Sequence, residues 1–324
     1  MPRSAHLALG MAAGLVADRI LGDPARWHPV AGFGRMAGAL ERAAYAPTRV
    51  RGAALTCAAV AGPAALSLAV RRLPPAAQGV AAAVLTWAVV GARSLEREAN
   101  GVHAQLSAGD LDAARRRVGG LVGRDVSQAS PDEIARACVE SVAENSSDAL
   151  IAPVFWGVLL GPSGLLGYRA VNTLDAMWGH RSPRYTEFGW APARLDDVAN
   201  WVPARVTVGL VALLTGRFRD VVTIVRRDAA RHPSPNAGPV EAAWAAGLDI
   251  RLGGTNHYDG YVEDRGRLGD GPDASVADIP RATRLLRQLG QTATVLLIVR
   301  AAVGYAAARR TTAPAEGPPG SVGP

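Results

Sequence analysis

The amino-acid sequence predicts an all-α, polytopic helical integral membrane protein in which long polar helical loops connect apolar helices. Hydrophobic residues make up 49% of the 324 residues, and three segments of 19, 20 and 20 residues carry no charge: 52–70, 73–92 and 149–168. Crossing a bilayer takes roughly 20 predominantly apolar residues. Each run could instead be a buried helix, but soluble all-α proteins seldom contain two such runs in succession.

Three further segments are long enough to span a bilayer but contain ionisable residues: 4–21, 200–216 and 288–308. The residues concerned are Asp18, Arg19, Arg205 and Arg300. Ionisable residues at membrane depth are functional by default, although a snorkelling or structural role explains Arg300 equally well. We expect the first segment to stay in the mature chain, because it lacks a convincing small-residue cleavage site.

The regions between these segments are predicted to be polar. Residues 22–50 should form an ordered turn region, because their prolines fix φ and disfavour helix in the preceding residues. Residues 93–147 show a polar helical pattern, and 217–287 form a long polar segment with turns and little strand patterning. We expect one membrane-embedded domain over 1–310 and a disordered Pro/Gly-rich tail over 311–324.

The apolar run 149–168 is interrupted by two glycines and a proline at 161–164. This break fits two half-helices of a re-entrant hairpin, and it fits one kinked span as well. The difference matters for function. If 149–168 and 200–216 both span fully, the polar regions 125–145 and 172–197 fall on opposite sides of the membrane, where one site cannot use both.

All 35 basic residues are arginine, so no lysine can bind phosphate or form a Schiff base. Anion binding must therefore use arginine or backbone N–H groups. The net charge of +7 is interspersed with acids, which favours a solvated face beside anionic lipid and argues against nucleic acid as a partner. Cys57 and Cys138 form no CxxC motif and are expected to be reduced and structural.

An acidic face is predicted on the helix over 132–148. Glu140, Glu144 and Asp148 recur every four residues and share one side, with Asn145 adjacent. Like charges at this spacing destabilise a helix by a few tenths of a kcal/mol unless a cation or an arginine neutralises them. A solvated acidic stripe is the alternative, but this one runs directly into an uncharged segment.

Two more polar groups follow, at 172–175 and 194–205. The first contains Asn172 and Asp175, and the second contains adjacent acids between two arginines. Oxygen ligands of this kind suit Mg²⁺, which usually takes one or two carboxylates and keeps water or phosphate elsewhere, and arginines bind phosphate bidentately. Turns at 234–238 and 252–256 expose backbone N–H groups that either bind an anion or simply reverse the chain. No phosphate-loop, nucleophile-elbow or HExxH motif is present.

Taken together, these motifs resemble the CobD/CbiB family. The resemblance runs from about residue 7 to 305, nearly the whole chain, and departs at Trp178-Gly179-His180, where a smaller or more basic pattern is expected. The segments that carry it are Gly22-Asp23-Pro24, His28-Pro29-Val30, Gly123-Arg124-Asp125, Glu140-Ser141-Val142-Ala143-Glu144-Asn145, Tyr168-Arg169-Ala170-Val171-Asn172-Thr173-Leu174-Asp175, Arg194-Leu195-Asp196-Asp197, Ser234-Pro235-Asn236-Ala237-Gly238 and Arg251-Leu252-Gly253-Gly254.

The resemblance implies an adenosylcobinamide-phosphate synthase of cobalamin biosynthesis, multi-pass in the cell (inner or plasma) membrane. Such an enzyme converts (adenosyl)cobyric acid to (adenosyl)cobinamide phosphate by amide coupling of (R)-1-aminopropan-2-ol phosphate to a corrin carboxylate. ATP is the implied co-substrate and Mg²⁺ the implied cofactor, because an unactivated carboxylate does not condense with an amine in water. The expected partners are the corrinoid, aminopropanol phosphate, the lipid bilayer and other late cobalamin-pathway enzymes.

The site residues are predicted from their positions in these motifs, with individual roles left open. The predicted catalytic residues are Glu140, Glu144, Asn145, Asp148, Asn172, Asp175, Asp196, Asp197 and Asn200. The predicted metal ligands are Glu144, Asp148, Asp196 and Asp197. The predicted substrate- or phosphate-binding residues are Asp23, His28, Arg124, Asp125, Arg194, Arg205, Asn236, Gly253 and Gly254.

Two other classes of function stay open. A polytopic transferase acting on a diphosphate-activated lipid would also pair Mg²⁺ with Asp-rich loops, but it needs a repeated acidic motif that the sequence lacks. A membrane transporter, or a corrinoid-handling membrane protein without catalysis, would explain intramembrane charges and a broken helix. It predicts inverted repeats and short polar loops, whereas 217–287 is long and polar.

Overall fold

The computed structural model describes residues 1–23, 28–180, 182–258 and 261–312. Helices dominate these residues, which confirms the all-α class, and one two-stranded antiparallel sheet accompanies them. The helices are α1 (Arg3–Leu21), α2 (Pro29–Ala44), α3 (Arg49–Arg71), α4 (Pro75–Val89), α5 (Ala92–Ser107), α6 (Leu111–Gly119), α7 (Pro131–Ser146), α8 (Ala152–Leu160), α9 (Pro162–Trp178), α10 (Trp190–Thr215), α11 (Phe218–Asp228), α12 (Ala237–Leu248) and α13 (Asp278–Thr312).

Five helical segments in the described part of the chain are long and apolar enough to cross a membrane: Arg3–Leu21, Arg49–Arg71, Pro75–Ser107, Trp190–Thr215 and Asp278–Arg310. They contain the uncharged run 52–70, the run 73–92 except its first two residues, and the three charged candidate segments except Gly216. Large apolar side chains such as Leu66, Leu68 and Val80 are exposed on their outer faces, as lipid contact requires. The prediction of a polytopic membrane protein is confirmed.

The third uncharged run, 149–168, is a helical hairpin. A π-helical turn at Ser147–Ile151 leads into α8, the chain reverses at Gly161 with φ +64°, and α9 runs back. The two helices touch at Gly164, where a Cβ would lie 1.9 Å from the Trp156 carbonyl oxygen. The uncharged first arm of the hairpin, 149–160, has 12 residues and is about 18 Å long, well short of the roughly 30 Å hydrocarbon core of a bilayer. Of the two predicted alternatives, the structure has the hairpin.

Three expectations for the connecting regions need correction or fall outside the structure. Region 22–50 contains α2, which starts at Pro29 because the His28 side chain caps it. The polar segment 217–287 contains strands β1 (Leu252–Tyr258) and β2 (Tyr261–Leu268) in addition to helices. The glycines and charged residues of both strands give weak strand propensity, so sequence patterning missed them. Of the predicted tail, residues 311–312 still belong to α13, and 313–324 lie outside the described residues.

Close packing defines two ends of the helical bundle. Near the start of α3, a Cβ on Gly52 would lie 1.8 Å from the carbonyl oxygen of Phe188. Near the end of α3, the Ser163 hydroxyl donates a hydrogen bond to the Ser67 hydroxyl at 2.9 Å. Because Ser163 follows the turn of the α8–α9 hairpin, we call that end the hairpin-tip end. The opposite end, which holds Phe188 and the polar end of the hairpin, is the cavity end.

Candidate active site

A polar cavity of about 810 Å³ opens at the cavity end, between α7, α9, α10, the segment before α12 and strand β2. The hairpin explains its composition, because α9 returns to the end from which α8 departs. Regions 125–145 and 172–197 therefore contribute to one site, and the conflict raised by two full spans disappears. Nine predicted site residues line the cavity: Glu144, Asn145, Asp148, Asn172, Asp175, Asp196, Asp197, Asn200 and Asn236.

Side-chain amides hold two carboxylates of the cavity in place. The Asn172 amide donates to Asp148 Oδ2 at 3.4 Å and to Asp196 Oδ1 at 3.2 Å. The Asn200 amide donates to Asp196 Oδ2 at 2.9 Å, and the Tyr168 hydroxyl donates to Asn200 Oδ1 at 2.8 Å. Each oxygen of Asp196 thus accepts one amide N–H group. Through Asn172 of α9, this network holds the Asp148 carboxylate of the π-helical turn and the Asp196 carboxylate of α10 in place.

The cavity holds more negative charge than its arginines neutralise. Burial, together with the charges of Asp196 and Glu144, raises the pKa of Asp148 well above its usual range. Burial and the charges of Asp196 and its neighbour raise the pKa of Asp175 to about 7, and burial also raises that of Glu144. Each shift reflects an anion that is costly to bury beside like charges. A bound cation or ammonium group would lower that cost.

The carboxylates of the cavity bear on whether Mg²⁺ can bind there. Among the described residues, no group of three His, Cys, Asp or Glu side chains converges on one point that could hold a metal ion. The carboxylates of Asp148 and Asp196 flank the Asn172 amide nitrogen, whereas the Asn172 oxygen accepts from Arg169 Nη1 at 3.3 Å. Mg²⁺ keeps several waters and usually binds through one or two carboxylates plus phosphate. The cavity therefore fits a hydrated Mg²⁺ that enters with a phosphate, and the four-residue metal set remains a prediction.

Glu140 and Arg124 lie in a wall behind the cavity. The Arg124 guanidinium donates to Glu140 Oε2 at 2.6 Å, and the Gly253 backbone N–H donates to Glu140 Oε1 at 2.7 Å. Arg136 donates to the Gly253 carbonyl oxygen. Both oxygens of Glu140 are thereby occupied in joining α7 to the loop before it and to β1. This geometry gives Glu140 and Arg124 a structural role and lends no support to direct roles in catalysis or phosphate binding.

Two other predicted arginines lie at the margin. Arg205 on α10 donates to Asn236 Oδ1 at 2.8 Å and to the Pro235 carbonyl oxygen at 3.1 Å. Asn236 in turn donates to the Asp197 carbonyl oxygen at 2.8 Å, so Arg205 supports the segment that lines the cavity. Arg194 is exposed and lies 3.7 Å from Asp197 Oδ2. Neither guanidinium reaches the cavity wall.

The remaining predicted residues lie in other places. Asp23 and His28 form a contact of 3.6 Å near the end of α1. Asp125 lines a separate, smaller cavity beside β1. Gly253 and Gly254 have φ of +79° and +90°, and a Cβ on Gly253 would lie 2.1 Å from the Gly266 carbonyl oxygen. Gly253 lets β1 approach β2, and Gly254 lies against the Arg136 guanidinium, so the structure does not assemble these residues with the main cavity.

Sequence reasoning missed a buried group beneath the cavity. Glu241 on α12 is fully buried, and its Oε1 lies 3.5 Å from His232 Nε2 and 3.9 Å from Arg265 Nη1. Burial and the charges of Glu140 and Glu144 raise the pKa of Glu241 well above its usual range, while burial lowers that of His232 to about 4. The sequence held one signal for this group, a single acid within the otherwise apolar run 237–248.

Comparisons with known proteins agree with the resemblance. The family described as CobD/Cbib protein matches residues 11–286. The chain is 47% identical over 297 residues to the cobalamin biosynthesis protein CobD of Mycobacterium tuberculosis H37Rv, covering 90% of this chain and 95% of the relative. The protein of that name from Chromobacterium violaceum is 45% identical over 290 residues, covering 87% and 92%. No solved structure matches the chain.

Proposed function

Because the chain belongs to the CobD/CbiB family, we propose that it couples (R)-1-aminopropan-2-ol phosphate to a carboxylate of (adenosyl)cobyric acid, giving (adenosyl)cobinamide phosphate. The observation that carries the proposal is the acid-rich cavity, to which α7, α9 and α10 contribute carboxylates and amides. The name of the relatives supports a place in cobalamin biosynthesis. ATP dependence and a location in the cell membrane are parts of the same proposal.

The proposed coupling turns a carboxylate oxygen into a leaving group. The corrin carboxylate attacks the γ-phosphorus of ATP, the bond to ADP breaks, and an acyl phosphate forms. The amine nitrogen then attacks the acyl carbon, the bond from that carbon to the phosphate oxygen breaks, and inorganic phosphate leaves. The ammonium group loses one proton before the attack and a second as the amide forms. A site for this reaction must therefore attract an ammonium group, bind phosphate and accept protons.

The described residues of the cavity meet these requirements. Asp148 and Asp196, held by Asn172, line the space that an ammonium group would enter, and such a cation would favour their ionised forms. Asp175 is the proposed base, because a pKa of about 7 lies near the working pH of the cell. Arg265 lines the cavity and is the proposed phosphate-binding residue, a role that was predicted for Arg124, Arg194 and Arg205.

Mg²⁺ is the proposed cofactor. Glu144, Asp148, Asp196 and Asp197 are the residues that would hold it, together with phosphate oxygens. When bound, Mg²⁺ would neutralise part of the negative charge of the phosphate groups. Orientation of the carboxylates is the work of this chain's own amides, because Asn172 and Asn200 occupy both oxygens of Asp196 before any ligand enters.

The experiment supplies purified protein in detergent with Mg²⁺, ATP, adenosylcobyric acid and aminopropanol phosphate, and follows amide formation by mass spectrometry. Asp148→Asn should abolish the product, because it keeps the volume but removes a carboxyl group that a bound cation would ionise. The control is Asp112→Asn, at a position whose side chain is 79% exposed on α6, and it should remain fully active. Amide formation without ATP would contradict carboxylate activation. Absence of amide with every corrinoid acid, combined with corrinoid transport across sealed vesicles, would establish the transporter alternative.

A further inference from the structure

A second cavity, of about 530 Å³, lies at the hairpin-tip end, far from the acidic cavity. Three arginines from three different helices line it: Arg3 of α1, Arg71 of α3 and Arg300 of α13. The turn of the α8–α9 hairpin at Gly161 forms another wall. No Asp or Glu lines this cavity among the residues that the structure describes. Its charge is therefore positive, opposite to that of the cavity at the other end of the bundle.

The three guanidinium groups have few partners within the chain. Arg3 donates to Gln78 Oε1 at 2.5 Å and to the Arg71 carbonyl oxygen at 3.2 Å. Arg300 makes one long contact of 3.5 Å to the Val158 carbonyl oxygen. The Arg71 side chain forms no hydrogen bond or ion pair within the described ranges. All these partners are neutral, so the described part of the chain does not compensate the three charges.

The position of Arg300 makes its positive charge costly to keep without a partner. Gly304, one turn further along α13, lies against the Ser4 hydroxyl near the start of α1. Arg300 precedes Gly304 by four residues, and a helix rises 1.5 Å per residue, so its Cα lies about 6 Å deeper in the bundle. Leu160 and Val299 beside it are exposed, as in contact with lipid. An arginine at such depth normally needs a partner or access to water.

We propose that the cavity of Arg3, Arg71 and Arg300 binds the phosphate group of an anionic phospholipid. A phosphodiester carries the negative charge that would compensate the three arginines, and guanidinium groups bind phosphate oxygens bidentately. The cavity also presents apolar side chains, Leu7 and Leu160, along which acyl chains can pass. A lipid satisfies both parts of this lining, whereas inorganic phosphate satisfies only the first. The proposal is independent of the reaction in the acidic cavity.

The experiment measures binding of phosphatidylglycerol to the purified full-length protein in detergent, by thermal stabilisation and by native mass spectrometry. Phosphatidylcholine and inorganic phosphate are titrated in parallel. Phosphatidylglycerol should stabilise the protein and remain bound, and the other two should not. Arg71→Gln should weaken its apparent affinity about tenfold or more, because a charge-assisted hydrogen bond is worth at least that factor.

The matched control is Arg72→Gln, since Arg72 is the next residue, is exposed and does not line the cavity. Its affinity for phosphatidylglycerol should equal that of the unmodified protein. A loss as large as that of Arg71→Gln would attribute binding to general surface charge and overturn the site. Equal binding of phosphatidylcholine, or displacement by inorganic phosphate at matched concentration, would overturn the anionic lipid as ligand. If Arg71→Gln does not fold, Arg300→Gln provides the same comparison.

Discussion

Replacing Glu140 by glutamine tests whether this acid acts in catalysis or in the wall behind the cavity. Its side chain is only 4% exposed, and its two oxygens accept from Arg124 at 2.6 Å and from the Gly253 N–H at 2.7 Å. Glutamine keeps the volume but has a single acceptor oxygen, so one of the two donors loses its partner. Breaking a buried ion pair in this way costs about 3 to 5 kcal/mol. We expect Glu140→Gln to lower the free energy of unfolding by about 3 kcal/mol.

The assay is unfolding of the purified protein in detergent, with Glu98→Gln as the matched control. Glu98 pairs with Arg117 at 3.0 Å, but about a third of each side chain is exposed, so this loss should stay below about 1 kcal/mol. At a temperature where Glu140→Gln is folded, its rate of amide formation should be close to that of the unmodified protein. Unchanged stability with lost activity would refute our assignment and restore the catalytic role predicted from the sequence.

Two further predictions concern the cavity itself. Because the pKa of Asp175 is about 7 in the folded protein and 3.8 ordinarily, the unmodified protein should lose stability as pH rises between these values. Without Mg²⁺, the Asp175→Asn variant should be as stable as the unmodified protein at pH 4 and more stable by about 4 kcal/mol at pH 8. A difference in thermal unfolding that does not depend on pH would contradict this prediction. Asn172→Leu removes the donor shared by Asp148 and Asp196. It should reduce kcat at least tenfold while detergent extraction stays normal, and an unchanged kcat would show that the bridge is dispensable.

The sequence predicted the membrane class because absence of charge over about 20 residues is a direct requirement of the bilayer. It also predicted that Glu140, Glu144 and Asp148 share a helix face. Periodicity gives a face but does not show what covers it. Here β1 and the loop before α7 cover the end of the face at Glu140, and only Glu144 and Asp148 remain in the cavity. The three acids therefore differ in role although their spacing is regular.

Residues that act across long sequence separations were the hardest to predict. Glu241 meets His232 and Arg265 only because α12 is buried along its length and β2 folds back over it. The strands themselves lack the alternating pattern on which strand prediction depends. The arginines in conspicuous motifs, Arg124 and Arg205, support the wall and the lining segment instead of the ligand space.

The hairpin at 149–168 shows why hydropathy could not decide the topology. A run of 20 uncharged residues has the same composition whether it crosses the bilayer once or turns back halfway. The deciding features are local, namely the positive φ of Gly161 and the contact of Gly164 with the Trp156 carbonyl oxygen, which a side chain would prevent. The turn has two consequences that a span would not have. It returns Asp175 to the end that holds Asp148, which makes one acidic cavity possible, and it places the reversing backbone beside Arg71 and Arg300, which makes the basic cavity possible.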